Sequence, residues 1–147
     1  MMKSIAFALL MLALLSPVAP AAAQPAAALN GAVFVAYCWR AKPGQLDAYN
    51  QYIKTVAELI DEDARKAGVF EEVRTVNPAP GASTDWTHLR IFRLKDAAAE
   101  KALAAGLDAA TLRIVPDEAK RKANSERSAT MRDFVRREVW IELPARP

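Results

Sequence analysis

From residue 33 onward, apolar and polar positions alternate in a way that divides the chain into strands and helices. Residues 33–41 read Val-Phe-Val-Ala-Tyr-Cys-Trp-Arg-Ala, residues 86–94 Trp-Thr-His-Leu-Arg-Ile-Phe-Arg-Leu, and residues 134–143 Phe-Val-Arg-Arg-Glu-Val-Trp-Ile-Glu-Leu. Successive side chains of a strand point to opposite sides, so each stretch carries two faces. One face collects Val35, Tyr37 and Trp39, then Trp86, His88, Arg90 and Phe92, then Phe134, Arg136, Glu138 and Trp140. The other collects Phe34, Ala36 and Cys38, then Leu89 and Ile91, then Val135, Val139, Ile141 and Leu143. The alternation predicts a sheet with one greasy face covered by helices. Its open face would be aromatic and charged, holding all three tryptophans and the single histidine.

Between the strands the period changes. Leu46, Tyr49, Ile53, Val56 and Ile60 recur at steps of three and four, the stripe of an amphipathic helix, after a turn at Lys42-Pro43-Gly44. Gly68 is suited to end that helix. Val69 to Val76 reads as a further strand, and Asn77-Pro78-Ala79-Pro80-Gly81 as a loop. Asp96 is placed to cap an alanine-rich helix over 97–105, which Gly106 interrupts before a short piece to Val115. Pro116 and Asp117 restart a charged helix over 117–131. The order is β-α-β-β-α-β, the ferredoxin-like α+β arrangement with helices on one face of a four-stranded antiparallel sheet. Right-handed crossovers put strands one and three at the centre, strand four beside one and strand two beside three.

Residues 1–23 have the form of a cleavable signal peptide. A positive start (Lys3) is followed by an apolar run from Ile5 to Leu15 and by Ala21-Ala22-Ala23, with cleavage expected after Ala23. The run is too short to span a bilayer, which takes about 20 residues. The reading is an exported protein, periplasmic or secreted, with no membrane attachment after cleavage, a flexible lead-in over 24–31 and one domain over 32–147. The net charge of +3 is mild and its signs are interspersed, which argues against a nucleic-acid partner. A lone cysteine, Cys38, cannot form an internal disulfide, and its place among Phe34 and Ala36 makes it a small buried hydrophobe.

His88 is the one side chain with an ordinary pKa near neutrality, ~6.5. With Arg90 two residues on and Glu138 on a nearby strand, it is the candidate catalytic base; the alternative is a histidine hydrogen-bonded within a polar seam. Arg90, Arg136 and Glu138 either pair with one another or meet an anionic ligand, because an unpaired buried charge costs several kcal/mol. The acidic runs Asp61-Glu62-Asp63 and Glu71-Glu72 read as solvated surface, not a metal site. No zinc, calcium, phosphate-loop or hydrolase motif occurs.

The passage from strand one through Ala41-Lys42-Pro43-Gly44-Gln45-Leu46-Asp47-Ala48-Tyr49, and Trp86 to Asp96 running into the second helix, resemble the dimeric α/β-barrel superfamily. That group includes the antibiotic-biosynthesis-monooxygenase-like and NIPSNAP-like domains. The resemblance implies a homodimer whose sheets join face to face, and a cavity between sheet and helices that takes a substrate. The haem-degrading branch uses an asparagine, a tryptophan and a helical histidine. The second helix region here has no histidine and strand one no asparagine, so no cofactor is expected. The leading expectation is an exported binding protein for an aromatic or anionic small molecule. Its ligand would meet Tyr37, Trp39, Trp86, Arg90, Phe92, Arg136, Glu138 and Trp140. A cofactor-free monooxygenase or isomerase with His88 as base, and a purely assembling dimer module, are the alternatives.

Overall fold

A computed structural model describes residues 31–143. The expected signal peptide and most of the lead-in lie outside those residues. Strand β1 (Val33–Ala41) leads into α1 (Leu46–Tyr52), a π-helical turn (Ile53–Ala57) and α2 (Glu58–Lys66), which together form one helical rod. Strands β2 (Glu72–Val76) and β3 (His88–Leu94) follow, then α3 (Ala97–Ile114), α4 (Glu118–Met131) and β4 (Arg132–Ile141). The sheet order is β2-β3-β1-β4 and every pairing is antiparallel. This is the expected ferredoxin-like α+β topology.

Local chemistry sets the boundaries. Gly68, at φ 75°, ends the rod in the left-handed region that residues with a Cβ avoid. Asp96 caps α3 by accepting from the Ala99 N–H at 2.8 Å, and Asp117 caps α4 by accepting from Lys120 N–H at 2.7 Å. Gly106 does not break α3, which continues to Ile114. It lets α3 lie close against the loop before β2 instead, since a Cβ there would stand 2.4 Å from Cγ1 of Val69.

The helices cover the face opposite to the one expected. Val33, Val35, Phe92 and Leu94 form the core with Ala64, Phe70, Leu103 and Ala110 from the helices and the loop before β2. Tyr37 packs edge-on to Phe92, and Phe92 edge-on to Phe70, with centroids 5.9 and 5.0 Å apart. Along β1 both faces are apolar, so alternation found the faces without deciding which one the helices take. The open face bears Phe34, Ala36, Cys38, Leu89 and Ile91, edged by Arg74, Arg93, Arg136 and Glu138, charges that water solvates readily.

Strand β4 contains a second departure. Its register slips between Cys38↔Arg136 and Trp39↔Phe134, leaving Val135 as an extra residue. Such a bulge reverses the alternation along the strand. Phe134 therefore lies with Trp39 on the helix side, centroids 5.1 Å apart, while Arg136, Glu138 and Trp140 lie on the open side. Trp39 and Trp140 do not share a face.

Candidate functional site

The polar members of β1 and β3 on the helix side are met by polar residues of the helical rod. His88, 0% exposed, has its ring edge-on to Tyr49 at 4.4 Å. Its Nε2 lies 2.9 Å from Asn50 Oδ1 and its Nδ1 2.8 Å from Thr87 Oγ1. With the Asn50 oxygen as acceptor, Nε2 carries the proton and Nδ1 accepts from the threonine hydroxyl. Burial, with a smaller contribution from the Arg132 cation, pushes the His88 pKa below its ordinary 6.5. The ring is a neutral, fully bonded bridge between sheet and helix, so it offers no free nitrogen for the role of base.

Arg90 donates from Nη2 to Asp61 Oδ2, and both side chains are 8% exposed. Burial pushes the Arg90 pKa below its ordinary value, and the carboxylate that meets the buried guanidinium is that of Asp61. The Nε–H of Arg90 is buried and has no acceptor. Asp61, expected to be solvated with Glu62 and Asp63, is thus an interior ligand of the guanidinium. The π-helical turn explains its position. A one-residue slip at 53–57 moves the inward stripe from Tyr49 and Ile53 to Asp61 and Ala64, while Leu46 at the start of the stripe is exposed. Such turns often mark functional segments.

Arg132 completes the cluster from β4. Its guanidinium lies 3.7 Å from the Trp39 ring centroid, donates to Tyr49 Oη at 2.8 Å, and donates through Nε to Ser128 Oγ at 2.8 Å. Burial raises the Tyr49 pKa, partly countered by the Arg132 charge. Tyr52, Ile53 and Met131 close the apolar side.

A groove of about 410 Å³ reaches this interior. Its walls are Glu58, Asp61, Glu62 and Arg65 of α2 and Val73 and Thr75 of β2, and it includes Arg90. Arg65 is already held by Glu62 at 2.9 and 3.0 Å.

Of the residues expected to line one pocket, the structure brings Trp39, His88 and Arg90 together beneath the rod. Tyr37 and Phe92 belong to the apolar core beside them. Trp86 precedes β3 and is half-buried. Arg136 and Glu138 lie on the open face, paired at 2.6 Å, and Arg136 also donates to both Asp85 oxygens at 2.7 and 2.8 Å. Those carboxylates raise the Arg136 pKa, and Arg136 in turn lowers that of Asp85. Trp140 stands on the same open face, 42% exposed. Asn50, Asp61 and Arg132 were not anticipated. Helical spacing with a one-residue slip would have found Asp61, and the bulge was needed to find Arg132. Among the described residues no cluster of three or more potential metal ligands occurs.

No family model matches the sequence, and no curated protein matches it. Solved structures do. HapK from Hahella chejuensis superposes with a TM-score of 0.52 at 14% identity, over 78% of this chain and 96% of that one. NE2512, a protein of unknown function from Nitrosomonas europaea, gives 0.46 at 22% identity, over 79% and 91%. The likeness to HapK carries the small ferredoxin-like α+β fold to this chain, and the fold is what it establishes.

Proposed function

We propose that this chain is a small-molecule-binding protein whose ligand enters the groove over Arg90 and presents a hydrogen-bond acceptor to its guanidinium. The observation that carries the reading is the buried Nε–H without an acceptor beside a groove of about 410 Å³. A buried donor left unpaired costs about 1–3 kcal/mol, which a carboxylate, phenolate or enolised carbonyl would relieve. The groove falls within the ordinary size of small-molecule sites. It also lies between sheet and helices, where the resemblance to the dimeric α/β barrels puts the ligand. The groove walls carry no aromatic ring, and Arg65 is held by Glu62, so the Arg90 donor alone sets the ligand class, a small organic acid.

The same reading makes the protein an exported homodimer. The open face supports a second copy, because Phe34, Leu89, Ile91, Val76 and Trp140 form an apolar surface that a lone monomer leaves wet. Residues 1–23 support export, and sequencing the exported protein should give Gln24 as its first residue.

Binding is tested by titrating benzoate, phenylacetate and salicylate into the labelled protein while following amide shifts. At least one acid is expected to move Thr75, Glu58 and Arg90, and Arg90→Lys should weaken it roughly tenfold by losing the planar donor set. Thr75→Val, an exposed wall position, should weaken it without a cost in folding. Groove amides that stay fixed with all three acids would reject the reading.

A further inference from the structure

The opposite flank of the same helical rod borders a separate cleft of about 380 Å³. It opens where the π-helical turn meets the joint between α3 and α4. Thr55 and Val56 of the turn and Leu59 of α2 form one wall, Ile114, Val115 and Pro116 of the joint form the second, and α4 closes it with Asp117, Lys120, Ala123 and Asn124. The groove over Arg90 uses Glu58, Asp61 and Glu62 of the rod, so the two sites share the helix but no lining residue.

The cleft has two chemically distinct parts. Its floor is apolar and wet, with Leu59 55% and Ile114 39% exposed beside Val56 and Pro116. Its rim is polar, and its groups are not equally committed. Asp117 spends its carboxylate on the Lys120 N–H as the cap of α4, and Thr55 Oγ1 donates to Gln51 O at 2.8 Å. The Lys120 ammonium and the Asn124 amide have no side-chain partner among the described residues, whereas Lys122 on the same helix pairs with Glu126 at 4.0 Å. Asp117 keeps its charge but is turned to the backbone of α4, which leaves Lys120 and Asn124 as the rim donors above the apolar floor and favours an occupant with a tail and a negative, hydrogen-bond-accepting head.

The joint is held open by its own bonds. Arg121 Nη1 donates to the carbonyls of Val115 and Pro116 at 2.9 and 2.6 Å, fixing the bend between α3 and α4. Pro116 lacks an N–H, so the helix cannot run on through the gap. The cleft is therefore a preformed space whose walls are tied in place.

We propose that this cleft binds a medium-chain amphipathic anion, its alkyl tail on Leu59, Val56 and Ile114 and its carboxylate at Lys120 and Asn124. Each methylene of such a tail removed from water adds to the binding. A charge-assisted hydrogen bond to Lys120 fixes which end faces the rim.

The test titrates octanoate, octanol and octylammonium into the intact protein and follows the amides of Val56, Leu59, Ile114 and Ala123. Octanoate is expected to move these four and to bind at least tenfold more tightly than octylammonium, with octanol between them. Leu59→Gln and Lys120→Gln, both at exposed positions, should each weaken octanoate about tenfold or more while circular dichroism and melting temperature stay unchanged. Fixed cleft amides, equal binding of the two charged probes, or unaltered affinity in both variants would each overturn the proposal. Binding of benzoate over Arg90 is read on different amides, so either site can fail without the other.

Discussion

Arg90 and Asp61 stand 29 positions apart in the chain and close on each other beneath the helical rod, each side chain 8% exposed. Removing one partner from such a pair leaves the other charge uncompensated, which costs about 3–5 kcal/mol. Asp61→Asn should lower the unfolding free energy by that order. The double variant Arg90→Met/Asp61→Leu should recover most of the loss, since two apolar side chains need no counter-charge. Urea unfolding measures both. A single variant within about 0.5 kcal/mol of wild type would show that the pair is not buried as described.

His88 gives the fold an acid limit. Its pKa is lowered, first by burial and second by the Arg132 cation. Below its ordinary value of about 6.5 the unfolded chain takes up a proton that the native protein refuses, so stability must fall as pH drops through that value. Wild-type urea midpoints should therefore be lower at pH 5.5 than at pH 7. In His88→Gln, which keeps a polar side chain and cannot titrate, the difference should shrink. An equal difference in both proteins would assign the pH dependence to other groups.

Gly106 reverses a common rule. Alanine in place of glycine inside a helix ordinarily stabilises it by about 1 kcal/mol. Here the new methyl would meet Val69 Cγ1 at 2.4 Å and Cγ2 at 2.7 Å, atoms of a stiff β-branched side chain. Gly106→Ala should therefore lower the melting temperature, with a cost of about 1–3 kcal/mol. Adding Val69→Ala should restore part of it. A higher melting temperature in the single variant would mean that α3 and the segment carrying Val69 part easily.

On the open face, Trp140→Glu and Ile91→Glu introduce a charge where the proposed partner copy would sit. Sedimentation equilibrium is expected to give a dimer for wild type and a monomer for the double variant, with the same circular dichroism spectrum. A wild-type monomer at micromolar concentration would remove the dimer.

How much of this was visible beforehand depends on which physical signal each residue carried. The span of β1, the cap at Asp96, the stop at Gly68 and the strand order all follow from local rules of alternation, capping and handedness. The grouping of Trp39, His88 and Arg90 on one face was legible for the same reason. Which side of that face the helices would take was not, because Val-Phe-Val-Ala-Tyr-Cys-Trp is apolar on both sides and its alternation is symmetric with respect to burial. Asp61 was hidden twice, once by its acidic neighbours Glu62 and Asp63 and once by the π-helical slip that turned it inward. Gly106 read as a breaker because propensity is local, while its purpose is a contact with Val69, 37 positions earlier.

The additional residue in β4 at Val135 makes one edge segment answer to two environments. Ahead of it the segment sends Arg132 inward onto an indole and a phenol; beyond it, Arg136 turns outward to carboxylates. Excising Val135 while keeping the later half in place would swing Arg132 out to solvent and strip Trp39 of its stacked cation. Two arginines four positions apart thus owe their opposite fates to a single backbone insertion, not to any difference in their own chemistry.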